Sequence, residues 1–182
     1  MQAQAAGEEL NEHVWYDVPT VKKVADQVES ALSTADPGHA SAFAANNQAF
    51  QAQLDQLIST EGADKPAVAG AGVAITEPVP VYMLDAVGAV NKTPGEFSEA
   101  IEEGSDVSPA VLQQTLDLFS SHAVKALVYN EQTTGAETEQ VLAAAEAAGV
   151  AVVPVTETLP DGADYVSWMQ GNIDDVVAAL SA

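Results

Sequence analysis

The sequence predicts an α/β fold: a three-layer sandwich around a mostly parallel sheet, preceded by a long helix. Two observations carry this. From residue 66 onward, short apolar runs alternate with capped, amphipathic helical segments, and that alternation demands parallel pairing with helices on both faces of the sheet. Ahead of residue 66, apolar residues recur at three- and four-residue spacing over two long stretches, which is helical periodicity. With 182 residues, 47% of them hydrophobic, the chain suits one domain, or one and a fragment, and can bury a sizeable core.

The elements follow in order. Residues 1–12 read as a polar lead-in. Asp17-Val18-Pro19 opens the first helix, with Asp17 placed to cap free N–H groups and Pro19 in the first turn, where a missing donor is harmless. Val21, Val24, Val28, Ala31 and Leu32 carry that helix to about Ser33, and Asp36-Pro37-Gly38 breaks it. A second helix gathers Phe43, Phe50, Leu54, Leu57 and Ile58 on one side. Its Asn/Gln-rich outer face suggests a brace rather than a catalytic element. Ala67 to Thr76 reads as one buried strand, with Gly70 and Gly72 inside it for close packing. A short helix over Val81, Leu84 and Val87 stops at Gly88, and Thr93-Pro94-Gly95-Glu96 has the form of a capping box. Ser108-Pro109 opens a helix through Phe119, Val124–Tyr129 is a second strand, and Thr134–Glu137 caps a helix ending at Gly149. Val150–Val155 is a third strand, and Tyr165 to Leu180 is the closing helix.

Composition excludes several functions. There are 27 acidic and five basic residues, all of the latter lysine, for a net charge of −22. Nucleic-acid binding through a basic groove is excluded, because counterion release needs clustered cations, and an anionic membrane surface is disfavoured on the same ground. With no cysteine there is no disulfide, thiolate nucleophile or Cys-ligated metal. No run is long and apolar enough for a membrane span, and Met1–Leu10 lacks the basic and apolar regions of a signal peptide. There is no phosphate-binding glycine loop, and no nucleophile with a neighbouring base, so the chain reads as a non-enzyme.

Ligands of parallel sheets sit beyond the carboxyl ends of the strands. Two strands run directly into an acid there, Thr76-Glu77 and Thr156-Glu157, and the third ends at Asn130-Glu131. Of the histidines, His39 follows a helix-breaking turn and reads as solvent-facing. His122 stands where a cation complements a helix C-terminus. His13, beside Trp15 and Tyr16 just ahead of a helix, is open to either a structural or a ligand role.

The segment Asn11-Glu12-His13-Val14-Trp15-Tyr16-Asp17, followed by a long helix and an Asp-Pro-Gly break, resembles the N-P-H-x-W-x-D segment of the zinc/manganese-type solute-binding proteins of ABC transporters. The resemblance continues through Val124–Thr133, Ala143–Val150, Val155-Thr156-Glu157-Thr158-Leu159-Pro160 and Tyr165–Met169. It implies one lobe of a two-lobed, periplasmic-binding-protein-like fold. Residues 1–17 would end the first lobe, 18–60 would form the linking helix and its successor, and 61–182 the C-terminal α/β lobe. It implies metal ligation by His13, Glu77 and Glu157, no organic cofactor, and a cargo of manganese or zinc. The partner would be an ABC permease, and the protein an extracytoplasmic, lipid-anchored monomer of a family related to cell-adhesion proteins. Glu12 stands where the family has proline. Family members carry a complete first lobe with a further histidine ligand ahead of this segment, so this chain alone is expected to bind metal weakly. One imidazole and two carboxylates tilt the choice modestly toward manganese. The alternative is a stand-alone α/β interaction or regulatory module without metal.

Overall fold

A computed structural model describes residues 11–182; the expected lead-in lies outside them up to residue 10. A 3₁₀ turn at Val14–Tyr16 leads into α1 (Val18–Ala35), and a second such turn at Pro37–His39 leads into α2 (Ala40–Val68). Asp17 opens α1 through its carbonyl, which accepts from Thr20 and Val21 N–H, while its carboxylate takes the Thr20 hydroxyl instead of a backbone donor. The two helices form a hairpin, joined by Gln51, whose amide donates to the Lys22 carbonyl (2.8 Å) and to Asp26 Oδ1 (2.9 Å). The α1 stripe leaves the core after Val21: Val24, Val28 and Leu32 remain about half exposed in a groove facing Phe43 and Phe50.

The expected strand over Ala67–Thr76 is shorter than its apolar run. Helix α2 continues past Pro66 to Val68, and β1 occupies only Gly72–Ile75. Proline forfeits one helical hydrogen bond, but here only the last turn lies beyond it and Ala69 N–H still closes on Lys65 O (2.8 Å). Gly70 is not in the strand; it takes φ +81° in the turn between α2 and β1. Gly72 does serve close packing, since a Cβ there would lie 2.3 Å from the Ala123 carbonyl oxygen. Gly72→Ala is therefore expected to lower stability by about 3 kcal/mol, read from the urea midpoint; a loss below about 0.5 kcal/mol would show that this backbone can move aside.

The chain continues through α3 (Val81–Val87), β2 (Val90–Asn91), α4 (Gly95–Glu102), α5 (Pro109–Ser120), β3 (Ala126–Asn130), α6 (Ala136–Ala147), β4 (Ala151–Val155) and α7 (Tyr165–Ser181). The two-residue β2 carried no sequence signal. The capping box expected at Thr93–Glu96 does not form. Thr93 Oγ1 instead accepts from Ile75 N–H (2.8 Å), which ties the loop before α4 to the end of β1. Ser108 caps α5 as its position predicts. Thr138, not Thr134, closes the start of α6, accepting from Gly135 N–H.

All pairings are parallel, in the order β2-β1-β3-β4. Strand alternation divides the core. Val73, Ile75, Ala126, Val128, Val153 and Val155 face α2, α3 and α7, where Leu57, Met83 and Ile173 are buried. Ala74, Leu127 and Tyr129 face the other layer, filled by Phe97, Phe119, Val141 and Ala145. Lys125 Nζ closes the end of α7 by donating to Leu180 O (3.0 Å), a cation at a helix C-terminus. Because the chain leaves β1 outward to β2 and then crosses back to β3, the crevice between β1 and β3 is the topological switch point, the usual place for a ligand.

Candidate metal centre

Three strand ends deliver side chains to that crevice. Glu77 follows β1, Asn130 ends β3, and Glu157 follows β4. Glu77 and Asn130 are 3% and 1% exposed. The Asn130 amide joins the two acids: Nδ2 donates to Glu77 Oε2 and to Glu157 Oε1 (2.7 Å). Asn130 is itself held by Gln132 N–H on its Oδ1 (3.0 Å) and by Thr76 Oγ1 on its backbone N–H (2.9 Å). On the next loop, Gln132 Oε1 accepts from both Glu157 N–H (2.8 Å) and Thr158 N–H (3.0 Å), which fixes the backbone that carries Glu157. Burial pushes the Glu77 carboxyl up to about 7; bonds from Asn130 and Thr133 oppose that rise, and the charges of Glu102 and Glu157 add to it.

His13 stands just ahead of the 3₁₀ turn that leads into α1. Its ring is 2% exposed and meets Trp15 edge-on at 5.2 Å. Asn11 Nδ2 donates to Pro78 O (3.0 Å), so its Oδ1 is the face turned to His13, accepting from the backbone N–H (3.0 Å) and lying 2.8 Å from Nδ1. That oxygen can only accept, so Nδ1 carries a proton, and in the neutral imidazole the lone pair is on Nε2. A hydrogen bond of this kind is what orients a ligating imidazole. The segment is tied to the sheet edge by Tyr82 OH to Asn11 O (2.8 Å), Tyr16 OH to Thr156 O (2.7 Å) and Tyr165 OH to Trp15 O (2.7 Å).

Two carboxylates that the sequence did not single out as ligands, Glu102 and Glu12, lie beside it. Glu102, the last residue of α4, places Oε1 3.6 Å from His13 Nε2. Glu12, His13 and Glu102 each offer a ligand atom within 4.8 Å of the others, the arrangement among the described residues that satisfies this spacing; Glu77 and Glu157 are joined through Asn130 instead. Burial raises the Glu102 carboxyl, the neighbouring His13 opposes the rise, and Glu12 and Glu157 reinforce it. Nothing in the residue spacing marks Glu102, since it lies at a helix end. Asn130 was within reach, because strand ends are where ligand-binding side chains gather. Its acidic neighbour Glu131 is exposed and takes no part. His39 is exposed, and His122 stands at the end of α5 with φ +54°.

An all-parallel α/β lobe with Glu77, Asn130 and Glu157 at its strand ends has the architecture in which ligands bind beyond the carboxyl edge of the sheet, while His13 groups with Glu12 and Glu102 rather than with Glu77 and Glu157. Residues 2–179 match the family described as ZnuA, the periplasmic zinc-uptake complex component A, and the chain belongs to that family. Its members are transport receptors for metal, not enzymes. Among solved structures, the periplasmic zinc-binding protein TroA from Treponema pallidum is similar over 99% of this chain and 67% of its own (TM-score 0.79, 23% identity). A mutant of the laminin-binding adhesin Lmb from Streptococcus agalactiae matches over 99% and 67% (TM-score 0.80, 17% identity). The solute-binding protein FpvC from Pseudomonas aeruginosa, in complex with Mn²⁺, matches over 97% and 65% (TM-score 0.73, 21% identity). At these identities the likeness speaks for the fold, and the chain spans about two thirds of the length of these proteins. Comparison with curated protein sequences returns no match. Among the described residues no helix is long and apolar enough to cross a membrane.

Proposed function

We propose that this protein captures a divalent transition metal, manganese or zinc, for delivery to an ABC permease, and that His13, Glu77 and Glu157 are ligands. The observation that carries the reading is the single Asn130 amide holding two carboxylates together at the switch point of the sheet. An amide N–H₂ between two acids occupies the electrostatic role of a cation, and it keeps Glu77 and Glu157 paired until one arrives. His13, with Nδ1–H bound to Asn11, has its Nε2 lone pair ready for the same metal. Capture and release of the ion is what a transport receptor asks of such a set. Residues 18–60 are assigned to the linking element and 61–182 to the C-terminal lobe. The full protein is assigned to the cell envelope with a lipid anchor, as a monomer from an adhesion-related branch of the family.

Titration calorimetry with Mn(II) and Zn(II) tests this. The chain should bind one ion weakly, because these three side chains fill only part of a metal's coordination shell and water supplies the rest. Glu77→Gln and Glu157→Gln should each weaken binding at least tenfold, about 1.4 kcal/mol. Unchanged binding in both variants would place the centre elsewhere, and no binding by the parent chain would favour a metal-free interaction module.

A further inference from the structure

We propose that Glu102 is a direct ligand of the captured cation, sharing it with His13 and adding a third carboxylate to the centre. This rests on the reading of the site given above. The first support is a distance. His13 Nε2 and Glu102 Oε1 are 3.6 Å apart, too long for a hydrogen bond. Two ligands about 2.1 Å from one tetrahedral ion stand about 3.4 Å apart. The pair is thus spaced as two ligands sharing one ion are.

The second support is an oxygen without a partner. Glu102 Oε2 is buried and accepts no hydrogen bond among the described residues. A dry, unpaired carboxylate oxygen is costly, and a bound cation relieves that cost. Among the described residues no lysine lies within 4.0 Å of Glu12, Glu77, Glu102 or Glu157, and His13 is the one basic side chain beside Glu102.

The third support is placement. Glu102 ends α4, whose C-terminus contributes negative potential. It shares a 4.8 Å group with His13 and Glu12, and its charge acts on the Glu77 carboxyl as that of Glu157 acts on its own. A set of one nitrogen and three carboxylates is harder than the two-carboxylate set, and it moves preference toward Mn(II). Glu12, in the same group, is exposed.

The test uses the 182-residue chain and Glu102→Gln, with Mn(II) and Zn(II) calorimetry and the visible spectrum of the Co(II) form. Glu102 is a quarter exposed at a helix end, so the amide should leave the fold intact, and the metal-free unfolding midpoint checks this. The expected result is at least a tenfold loss of Mn(II) affinity, a smaller loss for Zn(II), and a changed Co(II) band. A Co(II) band identical to the parent's overturns the proposal, even if affinity falls, because a charge acting from outside the coordination shell leaves the band alone. If Glu77→Gln and Glu157→Gln abolish binding while Glu102→Gln does nothing, the three-residue reading stands and Glu102 is not a ligand. If Glu102→Gln abolishes binding while those two do nothing, Glu102 is a ligand and the centre is the Glu12–His13–Glu102 group.

Discussion

Glu61→Gln is expected to stabilise the metal-free protein by about 2 to 3 kcal/mol at pH 8 and to leave it nearly unchanged at pH 4.5. Glu61 lies on α2, is 4% exposed, and has no ion-pair partner among the described residues. Burial first, and then the charge of Asp17, push its carboxyl from 4.5 up to about 7. The folded state therefore holds this proton more tightly than the unfolded chain does. Stability falls as pH rises from the unfolded value toward the folded one, and it stays low above it. Glutamine keeps the shape of the protonated acid and cannot ionise, so its advantage should grow through that same window. Urea unfolding at several pH values, in the presence of a chelator, reads it directly. A gain that is equal at both ends of the range would show that the fold does not raise the Glu61 carboxyl above its unfolded value.

The fold was legible where pattern and punctuation agreed. Val124–Tyr129 and Val150–Val155 lie within one or two residues of β3 and β4, because β-branched runs between helix caps have few alternatives. Ala67–Thr76 misled because alanine runs suit a helix end as well as a buried strand, and Pro66 suggested a boundary that the last turn of α2 tolerates. The α1 stripe shows the limit of periodicity: it predicts a face, but Val24, Val28 and Leu32 line an open groove instead of the core. Within the candidate centre, Glu77 and Glu157 could be singled out because parallel sheets present residues at strand ends. Glu102 could not, because the crossover through β2 and α4 brings it there, and no local pattern records where a helix end will point. Asn130 rather than Glu131 faces the site because the β3 ladder pairs Asn130 with Val155, a register that only the assembled sheet sets.

Mn(II) binding is expected to release close to one proton from Glu77 at pH 6 and almost none at pH 8. In the metal-free protein burial holds the Glu77 carboxyl at about 7, so it is mostly protonated at pH 6 and mostly ionised at pH 8. A metal takes the carboxylate form, and the proton must leave when the ion enters. The logarithm of the affinity should therefore climb by about one per pH unit from this group below pH 7 and flatten above it. The same coupling makes metal stabilise the fold more at pH 8 than at pH 6, because the ion offsets the penalty of a buried charge that exists only after ionisation. Calorimetry in two buffers with different ionisation heats counts the protons. In Glu77→Gln the release at pH 6 should drop by most of one proton, because the amide carries no titratable proton, even though residual binding to the remaining ligands persists. A release that is the same in the variant and the parent would mean that Glu77 keeps its proton when metal binds, and it would remove this carboxylate from the coordination shell.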